Sequence, residues 1–84
     1  MPEAVEESTL KESVQRATVE WVAELLEDPE VGAEDNFLDL GGHSMLALQL
    51  GNLAKERFGQ DYDLRVLFEG TLADAAADLA ARAA

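Results

Sequence analysis

Apolar residues in this chain recur at three- and four-residue steps, and no stretch alternates for more than a few residues, so the chain reads as all-α. The clearest helix spans Thr9 to Asp28, where Leu10, Val14, Ala17, Trp21, Val22 and Leu25 share a face. Thr9 and Glu12 form a capping-box pattern, and Asp28-Pro29 supplies the stop. Trp21 is read as core packing rather than a stacking platform for a ligand. A second helix is expected over Ser44–Phe58, with Ser44 at or near the N-cap and Gly59 as terminator. Its buried face is expected to carry Leu46, Leu50, Leu53, Ala54 and the stem of Arg57. Met45 and Leu48 fall instead on a flank with Ser44, Gln49 and Asn52. A short helix is expected at Leu64–Glu69, capped by Asp63, with Leu64, Leu67 and Phe68 inward. Gly70 breaks the chain, and Thr71-x-x-Asp74 opens a last helix with the stripe Leu72, Ala75, Ala76, Leu79 and Ala83. Pro29 to His43 is a long loop, which Phe37, Leu38 and Leu40 are expected to pin to the core. The expected architecture is three main helices plus a short one around one core.

With 84 residues there is room for one domain, expected over residues 9–84 behind an acidic leader at 1–8. Hydrophobic residues make up 48%, enough for a packed core despite a net charge of -12. That field repels nucleic acid and anionic membranes and favours basic partner surfaces. The chain has no cysteine and one histidine, which excludes disulfides, a thiol nucleophile and a multi-histidine zinc site. The N-terminus lacks the pattern of a signal peptide, and no apolar run could span a membrane, so a cytoplasmic location is expected.

Gly42-His43-Ser44-Met45 looks like the opening of a nucleophile elbow, but position 46 is Leu rather than Gly and no second histidine can serve as base. A calcium site at Asp35–Asp39 fails because Phe37 occupies a ligand position and no bidentate Glu follows. What remains is a serine placed to be modified. It follows two glycines that let another protein approach, and it opens a helix whose free N–H groups and positive dipole end accommodate a phosphate. Met45 and Leu48 beside it suit an adaptable docking surface.

The run from Asp35-Asn36-Phe37-Leu38-Asp39-Leu40-Gly41-Gly42-His43-Ser44 through Met45-Leu46-Ala47-Leu48-Gln49-Leu50 closely resembles the core of peptidyl carrier proteins, the thiolation domains of nonribosomal peptide synthetases. The likeness continues through Arg57-Phe58-Gly59, Leu64-Arg65-x-Leu67-Phe68-Glu69 and Thr71-Leu72, and so covers the chain from about Leu10 onward. It implies a small four-helix bundle of the acyl carrier protein type. It also implies that a phosphopantetheinyl transferase attaches 4'-phosphopantetheine from coenzyme A to Ser44, whose terminal thiol then carries an aminoacyl or peptidyl thioester. The implied protein is a non-catalytic monomer, served by an adenylation enzyme and by condensation, tailoring or thioesterase enzymes. His43, Met45, Leu48 and Val66 are its expected partner contacts.

The Gly-Gly-His-Ser form resembles peptidyl carriers more than fatty-acid or polyketide carriers, which usually have Asp before the serine. Rival readings are a carrier of polyketide, hybrid or aryl-acid pathways, and an unmodified acidic helical adaptor. Asp63 and Gly70 stand where such domains commonly have Pro, which puts the rigidity of the short helix in question. The acidity suggests a free-standing carrier that meets its partners by electrostatic attraction.

Overall fold

The computed structural model describes residues 6–83 and folds them into α1 (Glu6–Leu26), α2 (Ser44–Phe58), α3 (Leu64–Glu69) and α4 (Leu72–Ala83). The all-α architecture is therefore as expected, and no strand forms among the described residues. Residues 1–5 of the expected leader lie outside the described residues, and α1 already includes positions 6–8, ahead of the helix start expected at Thr9. Thr9 consequently sits inside the helix, and the expected Thr9/Glu12 box is not its start. Glu6 and Glu7 are sound helix formers whose charge suits the N-terminal end of the dipole, so the helix gains from extending through them.

α1 stops two residues before the expected Asp28. Glu27 takes a left-handed backbone (φ 55), its N–H donates to Glu24 O at 3.2 Å, and the Asp28 N–H donates to Ala23 O at 2.9 Å. This closure normally places glycine at the left-handed position. Glu27→Gly is therefore expected to stabilise the protein by about 1 kcal/mol, read as a higher urea midpoint.

The core is built where α1 lies against α4. Val14, Ala17 and Val22 of α1 meet Leu72, Ala75, Ala76, Leu79 and Ala80 of α4, all buried. The alanine stripe lets the two helices approach closely. Trp21 is half-buried, packs against this core and tilts against Phe58 at 6.1 Å between ring centroids. At α4 the Thr71/Asp74 box forms as expected, with Thr71 N donating to Asp74 Oδ2 at 3.1 Å and Asp74 N to Thr71 Oγ1 at 3.0 Å.

α2 is rotated relative to the expected face. Its buried residues are Ala47, Leu50, Gly51 and Ala54, while Leu46 and Leu53 flank them half-buried and Arg57 is exposed, its guanidinium over the Phe58 ring. Small residues carry little weight in a hydropathy pattern, yet they are what lets the chain after α2 pack tightly. A side chain at position 51 would collide with the Asp61 carboxylate.

That following segment is held by a contact that hydropathy spacing does not announce. Tyr62 is buried, and its hydroxyl meets the fully buried Thr18 Oγ1 at 2.6 Å; Thr18 also donates to Val14 O at 2.7 Å. Burial pushes the Tyr62 phenol up to about 12, Thr18 pulling slightly down and Asp61 adding a small rise. A phenol that holds its proton more tightly when folded contributes stability fully present below its unfolded value near 10 and lost as pH rises toward about 12. Urea titrations above pH 10 should show this loss, and Tyr62→Phe should remove that part of the pH dependence.

Candidate functional site

The loop before α2 is a stack of tight turns. Leu40 N donates to Asn36 O at 3.1 Å, Gly41 N to Leu38 O at 3.0 Å and Gly42 N to Phe37 O at 2.9 Å. In such turns positions three apart share a side, so Phe37 is fully buried and Leu40 half-buried, whereas Leu38 is 46% exposed and does not anchor the loop. The Phe37 ring stacks on Phe68 of α3 at 6.2 Å and 19°. The Asn36 side-chain amide donates to Phe68 O at 3.0 Å and Gly70 O at 2.7 Å, while its oxygen accepts from Asp39 N at 2.9 Å. Loop carbonyls also receive amides of α4, from Leu72 to Asp35 O and from Ala73 to Ala33 O, both at 2.9 Å. The loop is thus fastened to the end of α3 and the start of α4.

This fastening sets where Ser44 stands. Gly41 has φ 102, a conformation that favours glycine, and a Cβ at Gly42 would sit 2.5 Å from the Phe37 ring. The two glycines serve the chain's own turn and its close packing on Phe37. His43 is the N-cap, extended (φ -148, ψ 179) and making no side-chain cap bond, so Ser44 is the first helical residue rather than the cap. Ser44 and His43 are both exposed. The first turn of α2 carries no acidic residue, so its free amides offer an anion uncompensated positive dipole.

The first three turns of α2, which follow from Ser44, carry no charge. Met45 is 64% and Leu48 66% exposed, as expected, and no charged residue occurs from Ser44 to Ala54 despite the net charge of -12. The acidic residues lie mainly on α1, the loop and the segments flanking α3 and α4. Val66 is half-buried against the core and so offers a partner only its edge. Leu64, expected to face inward, is 51% exposed. It is the first residue of a helix of six, and the inward side of so short a helix is filled by Leu67, with Phe68 beside it. Leu64 instead lines a groove of about 320 Å³ between α2 and α3, together with Ser44, Ala47, Leu48, Asn52, Asp61 and Phe68. Sequence reasoning missed this groove because it combines a helix flank with a residue assigned to the core.

The departures at Asp63 and Gly70 do not loosen α3. The Asp63 carboxylate accepts from Arg65 N at 3.0 Å, and the Gly70 N–H donates to Val66 O at 2.8 Å. Proline could make neither bond.

The family described as "phosphopantetheine attachment site" matches residues 16–79, a span that includes the whole of this site and most of the fold. The chain belongs to this family. As a carrier domain it is of the kind that bears a 4'-phosphopantetheine group. The carrier domain is 51% identical over 47 residues to a linear gramicidin synthase chain of Brevibacillus parabrevis, covering 56% of this chain and 1% of that protein. It is 47% identical over 47 residues to a phosphinothricin tripeptide synthetase of Streptomyces viridochromogenes, covering 56% of this chain and 4% of that one. It is 48% identical over 46 residues to a dimodular nonribosomal peptide synthase of Bacillus subtilis, covering 55% and 2% respectively. The expected kinship with thiolation domains therefore holds, although the carrier domain corresponds to only a small part of each of these proteins. No solved structure matches it. Among the described residues no helix is long and apolar enough to cross a membrane.

Proposed function

We propose that the chain is a peptidyl carrier that bears its phosphopantetheine arm on Ser44 and acts as the substrate of partner enzymes in nonribosomal peptide synthesis. The observation that carries this reading is the exposed Ser44 at the first position of α2, behind a glycine turn and ahead of an uncharged helix face. In the attachment step the serine oxygen bonds to the phosphorus that bears pantetheine in coenzyme A. The pyrophosphate bond breaks, adenosine bisphosphate leaves, and the serine proton passes to a base on the transferase. When bound, the arm supplies the thiol that a chain without cysteine lacks. Its thioester is loaded by an adenylation enzyme and drawn on by condensation, tailoring or thioesterase enzymes. The residue before the serine, His43, favours the peptidyl class over other carriers.

Incubation of the folded protein with coenzyme A, magnesium and a broad-specificity phosphopantetheinyl transferase should add one phosphopantetheinyl group by intact mass. Absence of any gain with two unrelated transferases would overturn the reading and favour an unmodified adaptor. Loading of the product by amino-acid-adenylating enzymes, but not by polyketide acyltransferases, then identifies the peptidyl class.

Partner contacts are assigned to Met45 and Leu48, supplemented by His43 and the edge of Val66. Met45→Ala is expected to slow aminoacyl transfer several-fold while the unfolding free energy stays within about 0.5 kcal/mol, because so exposed a side chain contributes little packing. A loss of about 2 kcal/mol or more, as for a core truncation, would remove Met45 from the docking face.

A further inference from the structure

The chain has two lysines, Lys11 and Lys55, and they stand very differently toward Ser44. Lys55 follows Ser44 by eleven positions on the same helix, close to three whole turns, so the two share one stripe of α2 within about 20°. Along the helix axis they are about 16.5 Å apart. Helix side chains tilt toward the N-terminus, which turns that of Lys55 back toward Ser44. Both residues are exposed, as are Leu48 and Asn52 beside the path between them. The path also crosses Gly51, against which the Asp61 carboxylate lies, one turn short of Lys55. Lys55 forms no ion pair among the described residues. Lys11 stands at the opposite end of the bundle. Trp21 of α1 packs on Phe58 at the end of α2, and Leu25 lines a crevice with Gln49 and Leu53, so the two helices run in opposite senses. Lys11, ten residues before Trp21, therefore lies about 15 Å further along α1 from the end of α2 that is farthest from Ser44.

We propose that Lys55 is a site of self-acylation, taking the acyl group of a thioester borne on Ser44 of the same chain. The inference rests on attachment of the arm at Ser44. From the serine oxygen to its sulfur the arm has about fourteen bonds, roughly 17 Å at the reach per bond of an extended chain. That length and the lysine side chain together exceed the separation on α2, whereas Lys11 stays out of reach. The Lys55 nitrogen bonds to the thioester carbonyl carbon and the carbon–sulfur bond breaks. The sulfur leaves as thiolate and takes up the proton that the amine releases. The cargo ends as an amide on the carrier itself, and the arm is left with a free thiol. Only the unprotonated amine attacks, so higher pH accelerates the step. The tether holds amine and thioester at an effective concentration on the order of millimolar, which removes the need for an encounter between molecules. Arg57, the other cation of α2, is always charged and is no nucleophile.

The probe is acetyl-coenzyme A, from which a broad-specificity phosphopantetheinyl transferase installs an already acetylated arm, verified by intact mass. After incubation at mildly alkaline pH, hydroxylamine removes thioesters and leaves amides, and peptide mapping locates what remains. The expected result is a hydroxylamine-resistant acetyl group on Lys55, about tenfold or more above Lys11, with a rate constant unchanged when the protein is diluted. Lys55→Arg keeps the positive charge at the C-terminal end of α2; it should hold its thioester longer and lose the resistant acetyl group. In Ser44→Ala, given the same reagents, Lys55 should be acetylated no more than Lys11. A rate that falls with dilution, equal acetylation of the two lysines, or a thioester that only hydrolyses would overturn the proposal. A protein that gains no arm at all registers in the intact mass. That outcome strikes the attachment reading first, and the proposal falls with it.

Discussion

Ser44→Ala is expected to gain no mass in the transferase reaction while remaining folded with nearly parental stability. The loss is complete because the substitution removes the oxygen that bonds to phosphorus, and no cysteine exists to substitute for it. The stability is retained because His43, not Ser44, occupies the N-cap. An N-cap serine changed to alanine costs about 1 kcal/mol, whereas an exposed first-turn residue should cost no more than about 0.5 kcal/mol, and alanine is a good helix former. Intact mass and a urea titration on the same sample read both halves. A modified Ser44→Ala protein would move the attachment point to another hydroxyl. A large stability loss would mean that the serine also caps the helix.

Phe37→Ala is expected to cost about 3–5 kcal/mol, a large share of the roughly 4–13 kcal/mol available to a chain of this size. The ring is fully buried, stacks on Phe68 and lies directly beneath Gly42, so its removal opens a void that the neighbouring backbone cannot readily fill. The loss falls on the loop that delivers Ser44. Modification by the transferase should therefore slow even at temperatures where α1 and α4 remain paired. The urea midpoint and the initial rate of mass gain measure the two effects. A cost below about 1 kcal/mol, as for a surface change, would show that the loop is not pinned through this residue.

The parts of the fold legible in the sequence are those set by neighbours close in the chain. The spans of α2, α3 and α4 follow from apolar spacing, from Asp63 and the Thr71/Asp74 pair as caps, and from Gly59, whose φ of 77 ends α2 as expected. Exposure of Met45 and Leu48 follows from the same spacing. Where local signals compete, spacing misleads. Thr9 and Glu12 have the pattern of a cap, yet the preceding glutamates continue the helix through them. Leu38 resembles Phe37 and Leu40 in hydropathy, and only the turn bonds at Leu40, Gly41 and Gly42 turn it outward.

By itself, then, the sequence determines a helical chain with an exposed serine behind a glycine turn, because helix periodicity, capping and backbone freedom act over a few residues. Only the tertiary structure decides the rest. Asn36 reaches the carbonyls of Phe68 and Gly70, 32 and 34 positions away, and Thr18 meets Tyr62 44 positions away. Gly51 receives the Asp61 carboxylate, and Leu64 turns from an expected core residue into the wall of a groove. Each depends on which surfaces meet once helices pack, and small or polar residues such as Gly51, Thr18 and Asn36 carry no hydropathy signal that announces a distant partner.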